Sequence, residues 1–222
     1  MIRAIIVRNK LWILLALGAT LFGLAGCVGD LAQLAQKNLY AFAHANKESV
    51  PSEVPEGYEE VTLEISAPME PGDTEPQTDK LSINTWAYPV DSFDAPVVVY
   101  AHGNAVNIGG LYSSGFFEKI ASYGVHVVIY DYPSYGKSTG IPTERSLIAA
   151  SEATLDWVQD RFPNSRILFW GRSLGAGVAA QTIARNQQRI DAFMLTSPWH
   201  LLNELMKHHV GDMANDIPDK WT

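Results

Sequence analysis

The stretch "RILFWGRSLGAGVAA" (residues 166–180) decides how the rest of the chain is read. The apolar run "RILFW" leads into Gly171-Arg172-Ser173-Leu174-Gly175, and a helical segment over 174–186 follows. This is G-x-S-x-G placed between a buried strand and a helix, the context in which the motif carries chemistry. A sharp strand-to-helix turn forces the serine into a strained backbone conformation. Side chains at positions 171 and 175 would then collide with the neighbouring strand and helix, and glycine removes them. The Ser173 hydroxyl is thereby held at the carboxyl end of the sheet, where open α/β sheets bind ligands. The same helix start aims backbone N–H groups at any oxyanion that forms. Ser173 is the candidate nucleophile and the N–H of Leu174 a candidate oxyanion donor.

Outward from this turn, "PVVVYAH" (96–102), "VHVVIYDY" (125–132) and "AFMLTS" (192–197) are also continuous apolar runs. Such runs suit strands buried on both faces of a parallel sheet. Helical segments over 111–123, 146–162 and 174–186 separate them, so the pattern predicts an α/β sheet with right-handed crossovers. Upstream, "VTLEIS" (61–66) and "LSINTWAYPV" (81–90) alternate as half-buried strands and predict an opening antiparallel hairpin. Between them, residues 67–80 form a polar loop rich in proline and acid. "HGNAVNIGG" (102–110) follows the third strand, and the N–H of Asn104 is the second candidate oxyanion donor. His102, at the strand end, is read as an anchor of this loop by hydrogen bonds rather than as a base.

"HGNAVNIGG", "YDYPSYGKSTGIPTE" (130–144) and "WGRSLGAGVAA" (170–180), in this order and spacing, resemble the α/β-hydrolase superfamily. The nearest likeness is to the Bem46-like and serine-aminopeptidase-like serine hydrolases, over about residues 60–205. The resemblance implies an α/β-hydrolase fold, acyl transfer to water from a small-molecule ester or peptide substrate, and no cofactor. The family usually carries arginine and glycine where this chain has Pro133 and Ser134, a departure that touches a turn. Asp131 and Tyr132 are read as fixing that turn. In the family an acid and then a histidine follow the nucleophile, after later strands. Here the buried strands end with "AFMLTSPW" and the sequence runs to Thr222, so a sheet lacking its last strands is expected, in an incomplete domain over 59–222. The tail offers His200, His208, His209, Asp212, Asp216 and Asp219. Either His208 or His209 with Asp212 supplies a base and acid, or these residues sit on a solvated helix. No third or fourth ligand stands at a spacing that would make a metal site of them. The competing expectation is an inactive remnant or a binding lipoprotein.

The amino terminus speaks to location. Arg3, Arg8 and Lys10 precede an uncharged run from Leu11 to Gly26, shorter than the roughly 20 residues of a spanning helix. It closes in "LAGC" (24–27), which resembles the bacterial lipobox. That likeness implies a signal peptide over 1–26, lipid on Cys27, and a bacterial envelope location. Val28, where aspartate would favour inner-membrane retention, points to the periplasmic face of the outer membrane. Residues 27–58 are expected to form a lipidated helix, "LAQLAQKNLYAFAHAN" (31–46), and a tether broken by Pro51 and Pro55. The formal charge is −8, an acidic balance with no electrostatic footprint for nucleic acid. Cys27 is the single cysteine, so no disulfide framework is available and the core must carry stability.

Overall fold

The apolar runs become strands of one six-stranded sheet. The computed structural model describes residues 40, 49–67 and 80–198. The strands are β1 (Glu59–Ser66), β2 (Lys80–Tyr88), β3 (Val97–Ala101), β4 (His126–Tyr130), β5 (Ile167–Arg172) and β6 (Ala192–Thr196). Their order across the sheet is β1-β2-β4-β3-β5-β6. β1 and β2 form the antiparallel opening pair and β2 runs antiparallel to β4, while β4, β3, β5 and β6 are mutually parallel. Every residue of β3 and β4 is buried, as continuous apolar runs require.

Alternate side chains of the central strands feed two cores. Val97, Val99 and Ala101 pack with Leu147, Leu155 and Val158 of α3 (Glu144–Arg161) and Val178 of α4 (Leu174–Arg185). Tyr100, Val127 and Ile129 face the other way, onto α1 (Ile108–Ser113) and α2 (Phe116–Ala121). Thr143 opens α3 with a capping box: its hydroxyl accepts from Ser146 N, and Ser146 Oγ accepts from Thr143 N.

Two local expectations change. The helix over 111–123 is two short helices. Asn107 caps the first, its Oδ1 accepting from Gly110 N at 2.9 Å, and Gly115 at φ 69° ends the run and starts the second. β2, read as half-buried, is buried along most of its length, because β1 and β4 flank it and both cores draw on it. Two of its polar side chains reach across to β1: Asn84 Nδ2 donates to Glu60 at 2.6 Å and Ser82 Oγ to Glu64 at 2.7 Å. Residues 49 and 50, within the expected tether, pack against the start of α1. Val50 is buried in the second core, and Ser49 Oγ donates to Asn107 Oδ1 at 2.9 Å.

Among the described residues β6 is a sheet edge, paired to β5, with Phe193 and Met194 exposed. No helix among them is long and apolar enough to cross a membrane. Cys27, most of the 31–46 helix, nearly all of the 67–80 loop, and the tail with His200, His208, His209, Asp212, Asp216 and Asp219 lie outside the described residues.

Candidate active site

Ser173 stands between β5 and α4 with φ 53° and ψ −117°. A non-glycine residue in that region is strained, and it persists where the surroundings over-determine it. They do so here. A Cβ on Gly171 would lie 2.2 Å from the Gly175 carbonyl oxygen and 2.6 Å from Ala179 Cβ. A Cβ on Gly175 would lie 2.0 Å from the Ala101 carbonyl oxygen, so helix α4 starts in near contact with the end of β3. The Ser173 N–H donates to Thr196 O at 2.9 Å, which ties the turn to β6. Trp170 Nε1 reinforces the tie through Thr196 Oγ1 at 2.8 Å.

The sheet register brings the second loop alongside. Ala101 pairs with Gly171, so His102, Gly103 and Asn104 continue beside the serine turn. A Cβ on Gly103 would be 3.6 Å from Ser173 Cβ. Leu174 is the first residue of α4, and its N–H has no acceptor within the helix. Leu174 and the Gly103–Asn104 loop therefore border Ser173 from two different elements.

A third segment, Asp131 to Gly136 after β4, grips this loop. Tyr132 donates its hydroxyl proton to His102 O at 2.8 Å. Tyr135 donates to Asn104 Oδ1 in a short hydrogen bond. Asp131 Oδ1 accepts from Ile108 N at 2.9 Å. Both tyrosines are buried, and burial pushes their hydroxyls far above the usual phenol range, so they stay protonated donors at any working pH. The tight turn makes room for the aspartate: a Cβ on Gly136, at φ 47°, would sit 1.9 Å from Asp131 Oδ2. Ser134 has φ 71°, the left-handed conformation that glycine adopts freely.

His102 is fully buried. Its Nδ1 lies 2.9 Å from Gly103 O and therefore carries a proton toward that carbonyl. Its Nε2 is 3.3 Å from Asp131 Oδ1, at ion-pair distance but without hydrogen-bond alignment. The ring packs on Tyr132 with centroids 4.3 Å apart. These contacts make His102 an anchor. His126, the other described histidine of the sheet, begins β4 opposite Val97, at the end of the sheet remote from Ser173. Among the described residues no histidine is paired with the serine, and no group of three or more His, Cys, Asp or Glu could hold a metal ion.

Sequence reasoning missed Tyr135, Ser49 and Thr196. A usable signal existed for the first: it stands in a turn dense in tyrosine, and a buried tyrosine hydroxyl usually finds a hydrogen-bond partner.

Comparison with known proteins agrees with this layout. The model of the alpha/beta hydrolase fold family matches residues 96–219. Lysophosphatidylserine lipase ABHD12 of Bos taurus is 35% identical over 127 residues, covering 56% of this chain and 32% of that protein. Protein ABHD12B of Homo sapiens is 32% identical over 107 residues, 47% of this chain and 30% of that protein. The chain thus spans about a third of the length of the curated relatives it matches. Among solved structures, a thermostable carboxyl esterase from Bacillus coagulans shares the fold, with a TM-score of 0.51 at 15% identity over 64% of this chain and 44% of that one.

Proposed function

Because the chain belongs to the alpha/beta hydrolase family, we propose that it is a serine hydrolase of the esterase and lipase type with Ser173 as its nucleophile. The observation that carries the reading is the strained Ser173 turn, with both flanking glycines pressed against backbone and the Gly103–Asn104 loop beside it. Ser173 Oγ attacks the acyl carbonyl, and its proton passes to a base as the tetrahedral oxyanion forms. The N–H groups of Asn104 and Leu174 stabilise that oxyanion. One such donor is worth about 2.7–4 kcal/mol in the transition state. Neither described histidine is placed to serve as base. The base is assigned outside the described residues, with His208 or His209 and Asp212 as this chain's own candidates, or to a partner chain. The lipase names of the relatives support an acyl ester over a peptide as substrate.

Hydrolysis of p-nitrophenyl esters of increasing chain length tests the reading. Turnover that disappears in Ser173→Ala is expected, and equal turnover in wild type and variant would refute it. A second reading, a hydrolase-fold protein that binds an acyl ligand without cleaving it, is favoured by the absence of a paired histidine among the described residues. It requires ligand binding without any Ser173-dependent turnover.

We further propose that lipid on Cys27 holds the protein at the bacterial envelope, on the outer-membrane side of the periplasm. The support is the "LAGC" motif alone. Incorporation of labelled palmitate that persists in Cys27→Ser would refute it.

A further inference from the structure

The Gly103–Asn104 peptide is pinned from both sides, and neither contact belongs to a catalytic group. Its carbonyl oxygen, Gly103 O, takes the Nδ1 proton of His102 at 2.9 Å. Its other end is tied through the Asn104 side chain, whose Oδ1 takes the Tyr135 hydroxyl proton. In a planar trans peptide the C=O and N–H point in opposite directions, so fixing one fixes the other. Gly103 by itself would leave this peptide free to rotate. His102 is in turn held by Tyr132, which donates to its carbonyl at 2.8 Å, and Tyr135 lies beside the same imidazole with centroids 5.4 Å apart.

We propose that Tyr135 is a positioning residue for catalysis: through Asn104 Oδ1, and together with His102 at Gly103 O, it aims the Asn104 N–H at the oxyanion. This rests on the serine-hydrolase reading above. Tyr135 touches neither substrate nor Ser173 in this account. Its effect is on the preorganisation of one donor, and a donor that is present but misaimed loses most of its value in the transition state and little in substrate binding.

The test is steady-state hydrolysis of p-nitrophenyl butyrate by the full chain. Tyr135→Phe keeps the ring and removes the hydroxyl. It is expected to lower kcat roughly 10- to 100-fold with KM little changed. Asn104→Ala is expected to lose a similar factor, and the double variant no more than Asn104→Ala alone, since both changes remove one contact. Unchanged kcat in Tyr135→Phe, a loss confined to KM, or fully multiplicative losses in the double variant would overturn the proposal. If Tyr135→Phe fails to fold, Asn104→Asp, which keeps an acceptor for the tyrosine, is compared with Asn104→Leu, which has none. A smaller kcat loss in the first supports the proposal, and equal losses overturn it. A wild type without Ser173-dependent turnover overturns the serine-hydrolase reading and this inference with it. Wild-type turnover with an unaffected Tyr135→Phe overturns this inference alone.

Discussion

Gly175→Ala is the substitution for which the structure makes the sharpest demand. In an ordinary helix, glycine to alanine gains up to about 1 kcal/mol, because alanine loses less conformational freedom on folding. At position 175 the added Cβ would lie 2.0 Å from the Ala101 carbonyl oxygen, 2.5 Å from the Ala101 carbonyl carbon and 2.6 Å from the His102 oxygen. Ordinary contact begins near 3.4 Å, so the shortfall against the first atom is 1.4 Å. All three atoms are backbone of β3 and its extension, and no rotamer change relieves them. Helix α4 must move away from the sheet by more than an ångström. Overpacking of this kind costs about 1–3 kcal/mol, and a clash with three backbone atoms places it at the upper end. Urea denaturation reads this as a fall in midpoint of roughly 1–2 M. Gly110→Ala is the matched control. Its Cβ would meet Val106 Cγ2 at 3.1 Å, a side-chain atom that can give way, so stability should change by less than about 1 kcal/mol. A Gly175→Ala midpoint equal to or above wild type would refute the reasoning.

Other outcomes follow from the same contacts. Ser134→Gly relieves a left-handed non-glycine residue and should stabilise by about 1 kcal/mol, seen as a higher Tm in calorimetry. An unchanged or lower Tm would count against strain at that turn. Thr143→Ala removes the capping box of α3 and should cost about 1 kcal/mol in urea titration. His126 has its pKa lowered by burial, which outweighs the upward pull of the Ser92 backbone, while Arg161 lowers and Glu59 raises it. The unfolded chain therefore binds the proton first, and stability should fall as the pH drops below about 6.5. His126→Gln should flatten that part of the pH–stability curve, and an unaltered curve would remove His126 from the explanation.

The architecture was largely legible because the strand signal is physical and strong. Unbroken apolar runs such as Val97 to Ala101 have no stable place except between two layers of packing, and the glycines around Ser173 report a close approach that no other residue allows. The helix start at Asn107 was hidden inside a run already read for another purpose, so α1 begins earlier and ends sooner than periodicity suggested. The burial of β2 depends on its neighbours, β1 and β4, which no local pattern of Ser82 and Asn84 reveals. At the candidate site, the strained turn at Ser173 and the loop beside it follow from turn chemistry within short segments. The contacts that hold them do not: Tyr135 reaches Asn104 across 31 positions and Ser49 reaches Asn107 across 58. Such pairings arise from topology, and a single sequence leaves them unspecified.

The central claim is that the fold holds Ser173 as an activated nucleophile. The most direct measurement is labelling of the full chain with a fluorophosphonate probe, with the adduct located by peptide mass spectrometry and Ser173→Ala as control. The account expects a single adduct on Ser173 that is lost in the variant. A folded protein, verified by circular dichroism, that takes no label on Ser173 would contradict it.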